Sequence, residues 1–186
     1  MGMAAIQEWT SAMAQALPYD GKRYEVLDGE LVVSPSPSWD HQRVAMALHT
    51  ILRSYLSAHR IGEAFMAPAD IAFSARRLVV PDLFVIPLVA GKPRPKRWES
   101  GLPLWLVTEV LSPSSARNDR LRKRVIYQDE RVAEYWIVDH EARVVERWRD
   151  TDERPEIISA VLSWQPVAHI PPLAIDLVDM FREALD

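Results

Sequence analysis

Two carboxylates sit where an ordinary strand would not carry them. The runs LVVPDLFVI (78–86) and LWLVTEVL (104–111) are apolar nearly throughout, as a central strand covered on both faces reads, yet each contains one acid, Asp82 and Glu109. An ionised carboxylate buried alone costs several kcal/mol, so each must meet a cation, a set of donors or the wet end of a sheet. For one such residue an arginine partner or a strand end is explanation enough. Two in neighbouring central strands repel unless something positive lies between them, and a divalent ion fits. Asp82 and Glu109 as hard oxygen ligands, the peptide carbonyl of Val110 and water would suit Mg2+ or Mn2+. The chain has no cysteine, which removes thiolate ligands, thiol nucleophiles and disulfides together.

Hydrolysis at such an ion also needs a proton carrier or a positive charge nearby. Asp119, Lys123 and Tyr127 recur every four residues and form one stripe of a helix, from which Lys123 could point at the ion. On spacing alone an exposed Asp119–Lys123 ion pair explains the first two equally well, and is the more common arrangement. Glu25 and Glu30 flank an Asp28-Gly29 turn, and a two-residue hairpin loop places them on one face with Leu27 and Val32. His41, near a helix start, is a possible proton carrier, although such histidines are more often structural.

The net charge of −4 argues against a strongly basic nucleic-acid binder, but it hides a contrast: residues 92–124 carry +6 and the remainder −10. Arg94, Lys96, Arg97, Arg120 and Arg122 in that stripe are candidate phosphate contacts, with an ordinary solvated face as the plainer reading. Trp105 and Trp136 lie within apolar strands and read as core; Trp98, in the basic loop, is the tryptophan to test for base contact.

The elements that must position these groups follow from pattern. A short helix is expected over about 4–16 and the hairpin over 24–33. A long helix from Trp39 to Ala58 follows, capped by Ser38 or Asp40. Strands are expected at 63–68, 70–73, 78–86 and 102–111, then a helix over 118–129 and a hairpin of 135–138 with 144–148. A weaker strand at 157–162 and a helix near 175–185 complete the chain. At 186 residues, 48% hydrophobic and 26% charged, with no repeat, the expectation is one α+β domain with a mixed sheet between helices. Its parts are an N-terminal helix and hairpin (4–33), a core (39–149) and a C-terminal extension (150–186). No run approaches 18 apolar residues and no secretory pattern opens the chain, so a cytoplasmic protein without membrane contact is expected.

In order along the chain, YEVLDGELVVSPSPSWDHQ, VVPDLFVI, TEVLSPSSARNDRLRKRVIY and AEYWIVDHEARVVERWR closely resemble the Uma-two family of restriction-endonuclease-type proteins, a branch of the PD-(D/E)xK nuclease superfamily. The resemblance runs from about Tyr24 to Arg149. It implies a restriction-endonuclease-like fold and metal-dependent hydrolysis of DNA phosphodiesters. Asp82 would be the PD acid and Glu109 the second acid. Glu25 matches the acidic position of the first hairpin, and His41 the His-Gln position of the long helix. The lysine that the superfamily places two residues after the second acid is Leu111 here, and the resemblance gives its role to Lys123. Cutting both strands would call for two sites, hence a homodimer. Two other classes stay open: an inactive DNA-binding or protein-interaction module on the same fold, and a hydrolase of smaller phosphate esters.

Overall fold

The computed structural model describes residues 8–99 and 101–186. A short helix, α1 (Ser11–Gln15), is capped by the Thr10 side chain, which accepts from the Met13 amide. The 4–7 part of the expected first helix lies outside the described residues. β1 (Arg23–Leu27) and β2 (Glu30–Ser34) pair antiparallel with Leu27 opposite Glu30. Asp28 and Gly29 both adopt positive φ, 51° and 88°, which a two-residue turn matched to strand twist requires.

The hairpin is half of a small sheet ordered β2-β1-β5-β4, with β4 at Ile71–Ser74 and β5 at Arg77–Val79. A second sheet is ordered β10-β9-β8-β7-β6-β3. Its strands are β3 (Gly62–Met66), β6 (Leu83–Pro87), β7 (Leu106–Val110), β8 (Glu134–Asp139), β9 (Val144–Arg149) and β10 (Glu156–Ile158). Within this sheet β7 and β8 run parallel, and every other pairing is antiparallel. The crossover between them is a broken helix: α3 (Ala116–Asn118), a π turn (Asp119–Lys123) and α4 (Arg124–Asp129). β11 (Val161–Trp164) and β12 (Leu173–Asp176) form a separate ribbon leading to α5 (Leu177–Leu185).

The strand expected over 78–86 is two strands in two sheets. Pro81 has no amide proton to continue a ladder, and at Val80-Pro81-Asp82 the chain leaves the small sheet for the large one. The strand expected over 157–162 likewise divides, at Ser159-Ala160, between the large sheet and the ribbon.

The large sheet separates two cores. Leu83 and Val85, Leu106 and Val110, and Trp136 and Val138 face α2 (Trp39–His59) and α5, where Leu48, Leu52, Met180 and Phe181 meet them. The alternate residues Phe84, Ile86, Val107, Tyr135 and Ile137 face the opposite way, toward Leu27 of the hairpin and Ile126 and Tyr127 of α4. Period-two alternation puts Asp82 and Glu109 on this second face. The β6–β7 register pairs Leu83 with Thr108, so one step further along the strands sets Asp82 across from Glu109. Topology alone thus brings the two unexplained acids together beneath the hairpin and the broken helix.

Candidate metal-dependent hydrolytic site

Asp82 immediately precedes β6, where the chain changes sheets, and the backbone groups freed there are taken up by hairpin side chains. The Val80 amide donates to Glu25 Oε1 (2.9 Å), and the Val80 carbonyl accepts from Arg23 Nη1 (2.9 Å). Asp82 Oδ2 accepts from the Val110 amide (2.9 Å) and lies 3.0 Å from His41 Nε2; Oδ1 accepts from Arg23 Nη1 at 2.8 Å. Val110 therefore meets Asp82 through its amide, whereas the sequence reading enlisted its carbonyl. His41 reaches Asp82 because Ser38 caps α2, accepting from the His41 amide, and fixes its first turn.

Glu109 is 2% exposed, and its Oε1 receives both Lys123 Nζ (2.9 Å) and the Tyr127 hydroxyl (3.0 Å). Lys123 also lies 2.9 Å from Glu25 Oε1 and 3.4 Å from Asp119 Oδ1. Asp119 and Lys123 open and close the π turn and both face inward; each is at most 3% exposed, so theirs is not a surface ion pair. Asp119 Oδ1 is buried without a hydrogen bond, and so is His41 Nδ1.

The charges strongly perturb one another. Burial opposes ionisation of Asp82, but the His41 hydrogen bond, the Arg23 charge and the Val110 amide outweigh it and hold the carboxyl at about 2. Burial pushes Glu109 well up, and Asp82, Asp119 and Glu25 add to this against the opposing Lys123. Asp119 is raised by burial in the same way. Burial works against the Lys123 charge, yet Glu109, Glu25 and Asp119 more than compensate and keep it protonated. Burial and the Glu109 charge push the Tyr127 hydroxyl well up, which makes it a donor.

Four carboxylates (Glu25, Asp82, Glu109, Asp119) face two fixed cations, Arg23 and Lys123. Ionised together, the four acids outnumber those two cations. A divalent ion would offset that excess, and the oxygen donors suit a hard cation. Among the described residues no three His, Cys, Asp or Glu side chains form a metal cage by themselves. An ion here would keep water in much of its shell, as magnesium does. Asp82 and Arg23 connect the cluster to the surface. Asp82 borders two adjoining cavities of about 420 and 510 Å3 that share Pro37, Gln42 and Ala67, and Arg23 lines the larger.

The other charged residues singled out in the sequence lie apart from the cluster. Glu30 is on the surface with Arg122, at 3.2 Å. Arg94 pairs with Glu63, and Arg120 with Glu146 and Asp139. Lys96 and Arg97 are exposed in the loop before Trp98. Trp98 is half-buried, donating to the Ala72 carbonyl (3.1 Å) and packing edge-on to Phe73, so it anchors that loop. Arg23 was missed by the sequence reading. The signal was present: residues 23, 25 and 27 alternate onto one face, so the face that offers Glu25 must offer Arg23 as well.

A family model described as "Uma2: Putative restriction endonuclease" matches residues 12–176. The chain belongs to the Uma2 family. No curated protein matches it. A crystal structure from Anabaena variabilis ATCC 29413, described as a "putative nuclease belonging to DUF820", superposes with a TM-score of 0.78 at 18% identity, covering 95% of this chain and 99% of that one. That likeness establishes the Uma2 chain's fold as the mixed α+β arrangement expected. The family match, its N-terminal limit at residue 12, takes in the whole cluster from Arg23 to Tyr127.

Proposed function

We propose that this protein is a Mg2+- or Mn2+-dependent endonuclease that hydrolyses DNA phosphodiester bonds. The observation carrying this reading is the buried Asp82–Glu109 pair set across neighbouring strands, with the Lys123 ammonium on Glu109. Asp82, Glu109 and the Val110 carbonyl would hold the ion. When bound, such an ion supplies a polarised water and offsets phosphate charge.

The chain's own groups have distinct tasks. Lys123 stays protonated and presents a fixed positive charge beside Glu109, which stabilises negative charge developing on a phosphoryl group. Glu25 and Asp119 hold that ammonium in place, and Glu25 also fixes the backbone before Asp82. Tyr127 donates to Glu109 and orients its carboxylate. His41 donates through Nε2 to ionised Asp82 and holds that carboxylate in place. Lys96 and Arg97 would contact phosphate without reading sequence, with Arg94, Arg120 and Arg122 contributing when their intramolecular partners release them. A homodimer placing two such sites on one duplex, in the cytoplasm, completes the reading; light scattering in solution checks the dimer.

One observation favours a second reading, a non-catalytic module on this fold: Lys123 is enclosed by three acids and borders neither cavity beside Asp82. A single experiment separates the two. Supercoiled plasmid and short duplexes are incubated with magnesium, manganese or chelator, with the wild type, Asp82→Asn and Glu109→Gln. The expected result is ion-dependent cleavage lost in both variants. Cleavage that persists in either variant moves the chemistry elsewhere, and DNA binding without cleavage under every ion establishes the module.

A further inference from the structure

The oxygens of the central acid pair are unequally committed. Asp82 Oδ2 is taken by His41 and the Val110 amide, and Glu109 Oε1 by Lys123 and Tyr127. The two remaining oxygens, Asp82 Oδ1 and Glu109 Oε2, face the same atom, Arg23 Nη1, at 2.8 and 4.0 Å. These are the oxygens that an ion held between the strands would need. Arg23 also has an exit. Its side chain is 18% exposed, and it lines the larger cavity beside Asp82 together with Lys22 and Gln42.

We infer that Arg23 is the resident counter-cation of this site: it neutralises Asp82 Oδ1 and Glu109 Oε2 in the ion-free protein, competes with the divalent ion for them, and so sets the ion concentration at which the site loads. The inference rests on the reading under Proposed function and deepens it. The physical logic is balance of charge. Two carboxylates facing each other without a cation would repel, so an ion-free site needs an internal substitute. A guanidinium on a long stem can hold the position and still turn away. A residue serving only as a strut for the Val80 carbonyl would instead help Asp82 to bind an ion by keeping it in place.

The two roles predict opposite signs for ion binding. Calorimetric titration of the EDTA-dialysed protein with MnCl2 compares the wild type, Arg23→Met and Arg23→Lys, with circular dichroism as the check on folding. Arg23→Met removes one competing charge a few ångströms from the ion and is expected to bind Mn2+ roughly tenfold more tightly. Arg23→Lys keeps the charge without the fork and is expected to tighten binding by roughly two- to threefold. Without ion, Arg23→Met should melt below the wild type and gain more in Tm when Mn2+ is added. If Arg23→Met does not fold, the lysine variant decides alone. Unchanged or weaker binding in the folded variants, beside a wild type that binds Mn2+, overturns the role of Arg23 and leaves the proposed function standing. Absence of Mn2+ binding in every protein overturns both.

Discussion

Lys123 is held by three carboxylates at once, so its loss should be felt first as instability. Lys123→Met leaves Glu25, Glu109 and Asp119 buried without their shared cation and is expected to cost about 3–5 kcal/mol in urea unfolding. The acids should respond to pH with opposite signs. Asp82 lies at about 2 in the folded protein against an ordinary 3.8, so its contribution is complete above about pH 4 and disappears as pH falls toward 2. Asp82→Asn should therefore be less stable than the wild type at neutral pH, by on the order of 2 kcal/mol, with the gap closing across that acid window. Glu109 is raised above its ordinary 4.5, so its protonated form favours folding below that value and the advantage is lost as pH rises. Glu109→Gln in the ion-free protein should accordingly gain on the wild type as pH rises above 4.5 in the same assay. At this scale Asp82 and Glu109 were legible because a charge within an apolar strand has few explanations. Lys123 was ambiguous: spacing of four describes a surface pair and a buried one equally.

The elements matter through where they stop. The large sheet carries both acids, and α2 and α5 cover its other face; α2 reaches the cluster through His41 in its first turn, whereas α5 contributes no residue to it. Phe181→Ala in α5 should cost about 3–5 kcal/mol of stability while leaving Mn2+ affinity unchanged, measured by urea unfolding and by titration. Ser38→Ala should cost about 1 kcal/mol through the lost cap of α2, and it should also loosen His41 on Asp82, a site-level effect that Phe181→Ala would not show. The hairpin, the long helix and the β8–β9 hairpin were readable from turn chemistry and periodicity, with ends within a residue or two. The division of 78–86 was marked by Pro81 but not legible as a change of sheet, because apolar residues flank the break on both sides and the pattern does not say which sheet each half joins. The π turn was equally hidden: it differs from regular helix in hydrogen bonding, while its sequence, DRLRK, remains an ordinary helical one.

Across the whole molecule, the basic stripe of 92–124 is less available than its charge suggests. Arg94, Arg120 and Arg122 are engaged with acids of the same chain, while Lys96 and Arg97 are exposed and in no ion pair among the described residues. Replacing Lys96 and Arg97 together by alanine should lower the salt dependence of DNA binding by about two units of slope, against little change for Arg120→Ala, measured by fluorescence anisotropy over a salt series. Among the described residues no helix is long and apolar enough to cross a membrane. By itself the amino-acid order determined the element types, the mixed α+β class and the acids that needed a partner, because periodicity and the cost of burying charge are local properties. The tertiary structure alone decided that those acids face each other, that a helix lysine reaches one of them, and that Arg23 takes the two oxygens left over. Each of these depends on strand register and on which segments cover a face, and both are set by packing between residues 14 to 86 positions apart, beyond the range of any local pattern.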